Sequence, residues 1–171
     1  MKTIGIILIL LSGAGIGFKS SDNLIRQNTQ LKKLRTMLVI LRGEIKYNNS
    51  IMSQAFRNVS GRVEEPFREF LIYVADNLDK YEGKPVSELW EKGIKDKLGV
   101  SLLSKKHLDK LKDLGKTLGF LDMEMQLSYI DILTSELSKD IEENTIKMKD
   151  NCKLYRALGI MGGILVVLII V

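Results

Sequence analysis

Residues 122–148 read DMEMQLSYIDILTSELSKDIEENTIKM, in which Ile130, Leu133, Leu137, Ile141 and Met148 return in steps of three, four and seven, with Tyr129 beside them. That is the period of a helix burying one face. Asp122 stands where an N-cap is wanted, since its carboxylate can accept from the first free amides of a helix. Neither Gly nor Pro interrupts the stretch before Gly159, so the helix can run on into the apolar residues that follow. Unbroken to Val171 it would extend about 75 Å. A joint near Asn151 is the alternative.

Reading outward toward the N-terminus gives more helices and no alternating strand pattern, so the middle of the chain is all-α. Leu24, Leu31, Leu34, Leu38, Leu41 and Ile45 form a stripe, on a helix beginning near Asp22, that resembles a coiled-coil seam. Asn48-Asn49-Ser50 ends it and offers Ser50 as the next N-cap. A short helix follows through Ile51, Ala55, Phe56 and Val59, stopped by Ser60-Gly61. Pro66 opens a third helix, lined by Phe67, Phe70, Leu71, Val74 and Leu78 and ended by Glu82-Gly83. Pro85 and Ser87 open a fourth with Leu89, Trp90, Ile94 and Leu98, closed by Gly99. Ser104 caps a fifth carrying Leu108, Leu111, Leu114 and Leu118, which reaches Gly119.

The two ends differ in kind from this middle. Thr3 to Phe18 and Ala157 to Val171 contain no charged side chain, although 27% of the whole chain is charged. As helices they measure about 24 and 22 Å, slightly short of a bilayer core of about 30 Å, and Lys153 and Arg156 can reach the interface with their aliphatic stems. The expected organisation is a membrane helix over residues 1–18, a cytoplasmic helical bundle over 19–156 and a second membrane helix over 157–171. A cleaved leader is the competing reading of the first run, because Met1-Lys2 and the Ser12-Gly13-Ala14-Gly15 stretch supply the minimal features of one. Lys19, Arg26, Lys32, Lys33 and Arg35 follow the first run, and Lys147, Lys149, Lys153 and Arg156 precede the second, which places the middle on the cytoplasmic side. Gly13 with Gly17 and Gly159 with Gly163 have the spacing that lets helices pack closely in lipid, within one chain or between copies.

One Cys and one His exclude a disulfide scaffold and leave no ligand set for structural zinc. Gly115-Lys116-Thr117 resembles the end of a phosphate-binding P-loop, but the upstream glycine is replaced by Lys110 and the tripeptide lies in a helical pattern. His107 sits among Lys105, Lys106 and Lys110 and reads as a solvated side chain. Cys152 has no base beside it, and Glu64-Glu65 and Glu142-Glu143 read as solvated helix surface. The formal charge of +5 is too dispersed for a nucleic-acid surface. No catalytic residue, cofactor site or metal site is expected, and the chain reads as a non-enzyme.

Several stretches together carry a family likeness. They are Ile16-Gly17-Phe18, Leu34-Arg35 with Leu38, Leu41-Arg42-Gly43-Glu44-Ile45-Lys46-Tyr47, Leu114-Gly115-Lys116-Thr117-Leu118-Gly119 with Asp122 and Gln126, and Leu158-Gly159 with Gly162-Gly163. Over nearly its whole length the chain resembles the stage III sporulation protein AB family of endospore-forming bacteria. The middle is more loosely similar to the helical cytoplasmic domain of type II secretion F and type IV pilus platform proteins, at the turns Tyr47-Asn48-Asn49 and Glu82-Gly83-Lys84-Pro85. The resemblance implies a membrane platform in a secretion-like channel complex between mother cell and forespore, on the mother-cell side of the outer forespore membrane. It implies as partners the secretion-type ATPase, stage III sporulation protein AA, and the other membrane proteins of the assembly. A membrane-tethered sensor or regulatory adaptor is the alternative. Candidate partner-binding residues are Lys46, Asn48, Asn49, Glu82, Gly83 and Lys84 at the turns, and Lys105, Lys106, Lys110 and Lys112 on the fifth helix.

Overall fold

The computed structural model describes residues 2–47, 51–80, 83–99, 101–118 and 122–170, with side chains described from 22 to 148 within those ranges and at Met161. Among them are six α-helices: α1 Lys2–Tyr47, α2 Met52–Ser60, α3 Phe67–Asp79, α4 Val86–Gly93, α5 Lys105–Thr117 and α6 Met123–Ile170. A π-helical turn, Ile94–Leu98, continues α4. The chain divides into two compact units, Gln30–Asp140 and the pair of segments Met1–Thr29 and Ile141–Val171.

The unit Gln30–Asp140 is the helical bundle expected from the apolar periodicity. Leu31, Leu34, Leu38 and Leu41 of the α1 stripe are buried, joined by Met37, while Ile45 is half-buried; Leu24 of the same stripe falls in the other unit. Phe56 and Val59 from α2, Phe67, Phe70, Leu71 and Val74 from α3, and Ile130, Leu133 and Leu137 from α6 complete the same core. α3 packs on α2 and α4, and α4 on α5. Each large apolar side chain so enclosed contributes roughly 1.5–3 kcal/mol by leaving water. Polar contacts set the register of α1 against α6: Arg42 grips Asp131 with two hydrogen bonds of 2.5 and 2.8 Å, and Arg35 Nε donates to Ser138 Oγ at 2.6 Å. Arg57 bridges α2 to Asp76 and Asp79 of α3, and the buried Glu44 accepts from Asn58 and Arg62.

In the other unit, Asn28, 2% exposed, donates from Nδ2 to Thr145 Oγ1 at 2.9 Å. Asp22 with Arg26 and Glu143 with Lys147 form pairs one helical turn apart. Among the described residues no helix is long and apolar enough to cross a membrane. The terminal runs read as spans, with Gly13, Gly17, Gly159 and Gly163, lie outside the residues whose side chains are described.

Four local expectations are corrected. The first helix does not begin near Asp22: α1 is a single helix from Lys2. Without a proline, glycines costing about 1 kcal/mol each weaken a helix but do not end it. Ser87 does not cap the fourth helix, because Pro85 is the last extended residue and α4 begins at Val86, which puts the serine inside the first turn. The residue before α2 is Ile51, without a side-chain cap, and Ser50 lies outside the described residues. Where periodicity gave one helix through to Leu98, the π-helical turn widens its end, and Gly99 follows because a Cβ there would lie 2.7 Å from the Lys95 carbonyl oxygen.

Candidate interaction surfaces

Helix α5 distributes its residues over three neighbours. Leu111, Leu114 and Gly115 are buried toward the core, where Trp90 of α4 meets Leu111 and Gly115. The Trp90 indole Nε1 donates to the Leu111 carbonyl oxygen at 2.8 Å, while its ring packs against Phe56 at 5.4 Å and edge-on against Phe70 at 4.7 Å. A helical Cβ leans toward the N-terminus over the preceding turn, so the absent side chain at Gly115 uncovers the carbonyl four residues earlier that the indole uses. A Cβ at that position would lie 2.3 Å from Trp90 Cδ1. The glycine of the P-loop-like tripeptide is thus a packing residue inside α5.

The second face of α5 meets α6, and here the reading of His107 is corrected. The side chain is not solvated but buried, with Nδ1 2.7 Å from Ser104 Oγ and Nε2 3.0 Å from Asp140 Oδ2. Lys106 reaches the same carboxylate at 3.0 Å. Burial opposes ionisation of Asp140, but the hydrogen bonds from His107 and Lys106 more than offset it and hold the carboxyl below its usual range. Lys110 pairs with Glu136 one turn away. Ser104 is meanwhile the N-cap of α5, its hydroxyl also accepting from the His107 amide. Ser104, His107 and Asp140 therefore form a clasp tying the start of α5 to α6.

The third face looks onto α4 across a cleft of about 640 Å³, lined by Ile94 and Leu108 and rimmed by charged side chains, among them Lys105 and Lys112. Lys112 reaches Glu91 of α4 at 3.5 Å. The lysine cluster expected on this helix is accordingly split. Lys106 and Lys110 face α6, while Lys105 and Lys112 border the cleft.

Of the turn-proximal candidates, Gly83 and Lys84 line a different place. A smaller pocket of about 280 Å³ is lined by Ile51, Met52 and Ser53 after the first turn and by Asn77, Leu78, Asp79, Gly83 and Lys84 around the second. Gly83 has φ +70°, a left-handed conformation that favours glycine. Lys46 sits with its ammonium 5.0 Å from the ring of its neighbour Tyr47. Asn48, Asn49 and Glu82 lie outside the described residues. The sequence reading missed Lys92 and Lys95, which join Lys105 around the cleft, because their proximity depends on α4 packing beside α5. Their recurrence at three-residue spacing beside Ile94 was the available signal. Among the described residues no group of three or more His, Cys, Asp and Glu side chains could hold a metal ion.

Comparison with known proteins gives consistent results. The family model described as stage III sporulation protein AB matches residues 2–171. A curated relative, stage III sporulation protein AB of Bacillus subtilis (strain 168), is 24% identical over 170 residues, which cover 99% of each chain. A solved structure of stage III sporulation protein AB superposes with a TM-score of 0.66 at 23% identity, covering 72% of this chain and 97% of that one.

Proposed function

Because the chain belongs to the stage III sporulation protein AB family, we propose that it acts as a non-enzymatic membrane scaffold in a secretion-like complex joining mother cell and forespore. The terminal runs, 1–18 and 157–171, hold residues 19–156 at the cytoplasmic face, as two spans in the outer forespore membrane. The bundle docks a secretion-type ATPase, stage III sporulation protein AA, and meets the other membrane proteins of the assembly.

The observation that carries this reading is the convergence of two separate turns on one pocket, where Ser53 and Met52 meet Gly83 and Lys84. A contact surface built from residues far apart in sequence requires the folded bundle and no reactive group, which suits a docking platform. The test is pull-down of the detergent-extracted full chain with the ATPase. Binding is expected, and Lys46→Glu with Lys84→Glu should weaken it severalfold while leaving helicity unchanged. Absence of binding, together with normal assembly of the channel complex in cells lacking the protein, would overturn the platform reading.

A further inference from the structure

Two surfaces on the unit Gln30–Asp140 remain unpartnered and match each other. The first is the cleft between α4 and α5. Its floor is apolar, from Ile94 and Leu108, and its rim carries Lys92, Lys95 and Lys105 without ion pairs among the described residues. Elsewhere on the bundle many lysines are neutralised: Lys33 by Glu64, Lys97 by Glu69, Lys110 by Glu136 and Lys116 by Asp113. Unpaired cations gathered around apolar surface call for an occupant that is both acidic and apolar. Glu88 and Asp109 on the same rim make a compact polyanion a poor fit and favour a helix of mixed charge.

The second surface is the outward face of α6. Met125 and Ile132, seven residues apart and thus on one stripe, remain 55% and 58% exposed, with the small residues Ser128 and Ser135 between and beyond them. Glu124 lies beside Met125 at the N-terminal end of the ridge, and Lys139 follows a further seven residues beyond Ile132. The two apolar side chains are about 10 Å apart along the helix, the same length as the run from Glu88 to Lys95 that borders the cleft. The ridge begins acidic at Glu124 and continues apolar; the α4 side of the cleft ends in Lys92 and Lys95 beside an apolar floor. Helix α5 lies between the two surfaces, paired on one side to Glu91 of α4 and on the other to Glu136 of α6.

From this complementarity we infer that the occupant of the cleft is a second copy of the chain: the Met125–Ile132 ridge of one copy seats in the α4–α5 cleft of another, with Glu124 against Lys92 and Lys95. This contact goes beyond the docking of the ATPase and does not depend on it, since the residues are distinct from those lining the turn pocket. A self-contact made from two different patches can be broken on either side and repaired in trans.

The experiment uses the full chain in detergent, with self-association followed by analytical ultracentrifugation and by co-purification of two differently tagged copies. The wild type should associate. Lys95→Glu sets like charge against Glu124 of the other copy, and Glu124→Lys sets like charge against Lys95, so each variant alone should associate about three- to tenfold more weakly, the range for exposed charge pairs turned from attraction to repulsion. Mixing the two variants sets the intact ridge of Lys95→Glu against the intact cleft of Glu124→Lys and should recover wild-type affinity at that contact. Ile132→Asp, at a position 58% exposed, should abolish its self-association; its intact cleft should still take the ridge of Lys95→Glu, so mixing with that variant restores association and mixing with Glu124→Lys does not. A monomeric wild type overturns the inference. So does association that ignores all three substitutions, which would place the contact in the terminal segments. Weakening by both charge reversals without recovery in the mixture also overturns it. Loss of ATPase binding with self-association intact would sink the platform reading alone.

Discussion

At the residue scale, Gly115 shows how a motif-like tripeptide acquires its meaning from packing. Gly115→Ala gains about 1 kcal/mol of helix propensity. Against this stands a Cβ 2.3 Å from a Trp90 ring that is hydrogen-bonded to Leu111 and wedged by Phe56 and Phe70, so the ring cannot step aside. Overpacking of that kind costs about 1–3 kcal/mol, and the net expectation is destabilisation, read as a lowered thermal midpoint by circular dichroism of the full chain in detergent. Asp131 supplies a pH-dependent counterpart. The Arg42 guanidinium hydrogen-bonded to it holds its carboxyl below the usual range, with desolvation opposing and the Arg42 charge reinforcing the shift. A carboxyl depressed in the folded state stabilises the fold fully above its unfolded value, about 3.9, and loses that contribution as pH falls through the lower folded value. Asp131→Asn should therefore flatten the acid side of the stability–pH curve and leave little pH dependence between 5 and 7. An unchanged acid limb would show that the pair, half open to solvent, contributes nothing measurable.

At the element scale, the helices were legible wherever their signals were local. The buried stripe of α1, the glycine after α4 and its turn, and the caps Ser104 and Asp122 each follow from side chains within a turn or two, and Asp122 Oδ1 does accept from the Met125 amide at 2.9 Å. Ser87 misled because a proline two residues upstream fixes the helix start more strongly than a hydroxyl does. His107 misled for a different reason: its lysine neighbours read as a solvated face, whereas Lys106 and Lys110 themselves pair with carboxylates of α6, and its partner Asp140 is supplied from α6, 33 residues away. The cleft was illegible on the same grounds, being made by two helices whose adjacency rests on the Trp90 contact. The Ser104 clasp carries a prediction at this scale. Ser104→Ala removes both an N-cap and the partner of His107 Nδ1, and should cost about 0.5–2 kcal/mol from the cap alone. Ser104→Asp keeps an acceptor for the His107 amide and should recover most of that stability; equal loss in both variants would mean the hydroxyl's contact with the imidazole, not the cap, is what matters.

At the scale of the whole molecule, the proposed topology rests on where charge is absent and where lysine and arginine resume. Two uncharged runs bracket a chain of which 27% is charged, and basic residues flank both runs on their inner sides. Short apolar helices of about 22–24 Å can be accommodated by local thinning at a cost of fractions of a kcal/mol per Å, so length does not argue against spanning. The prediction is that the protein stays in the membrane fraction through an alkaline carbonate wash and that its intact mass retains residues 1–18. Orientation is tested with Cys152→Ser as background and a single cysteine introduced at Lys80, an exposed position at the end of α3; Ser53, though central in the sequence, is buried and would resist labelling on either side. A membrane-impermeant maleimide should leave Lys80→Cys unlabelled in intact cells and label it fully after permeabilisation. Labelling before permeabilisation would put the bundle outside, separating it from any ATPase that consumes cytoplasmic nucleotide and overturning the platform reading. That result would leave the ridge-and-cleft contact standing, because its complementarity belongs to the folded unit and not to the side of the membrane on which it lies.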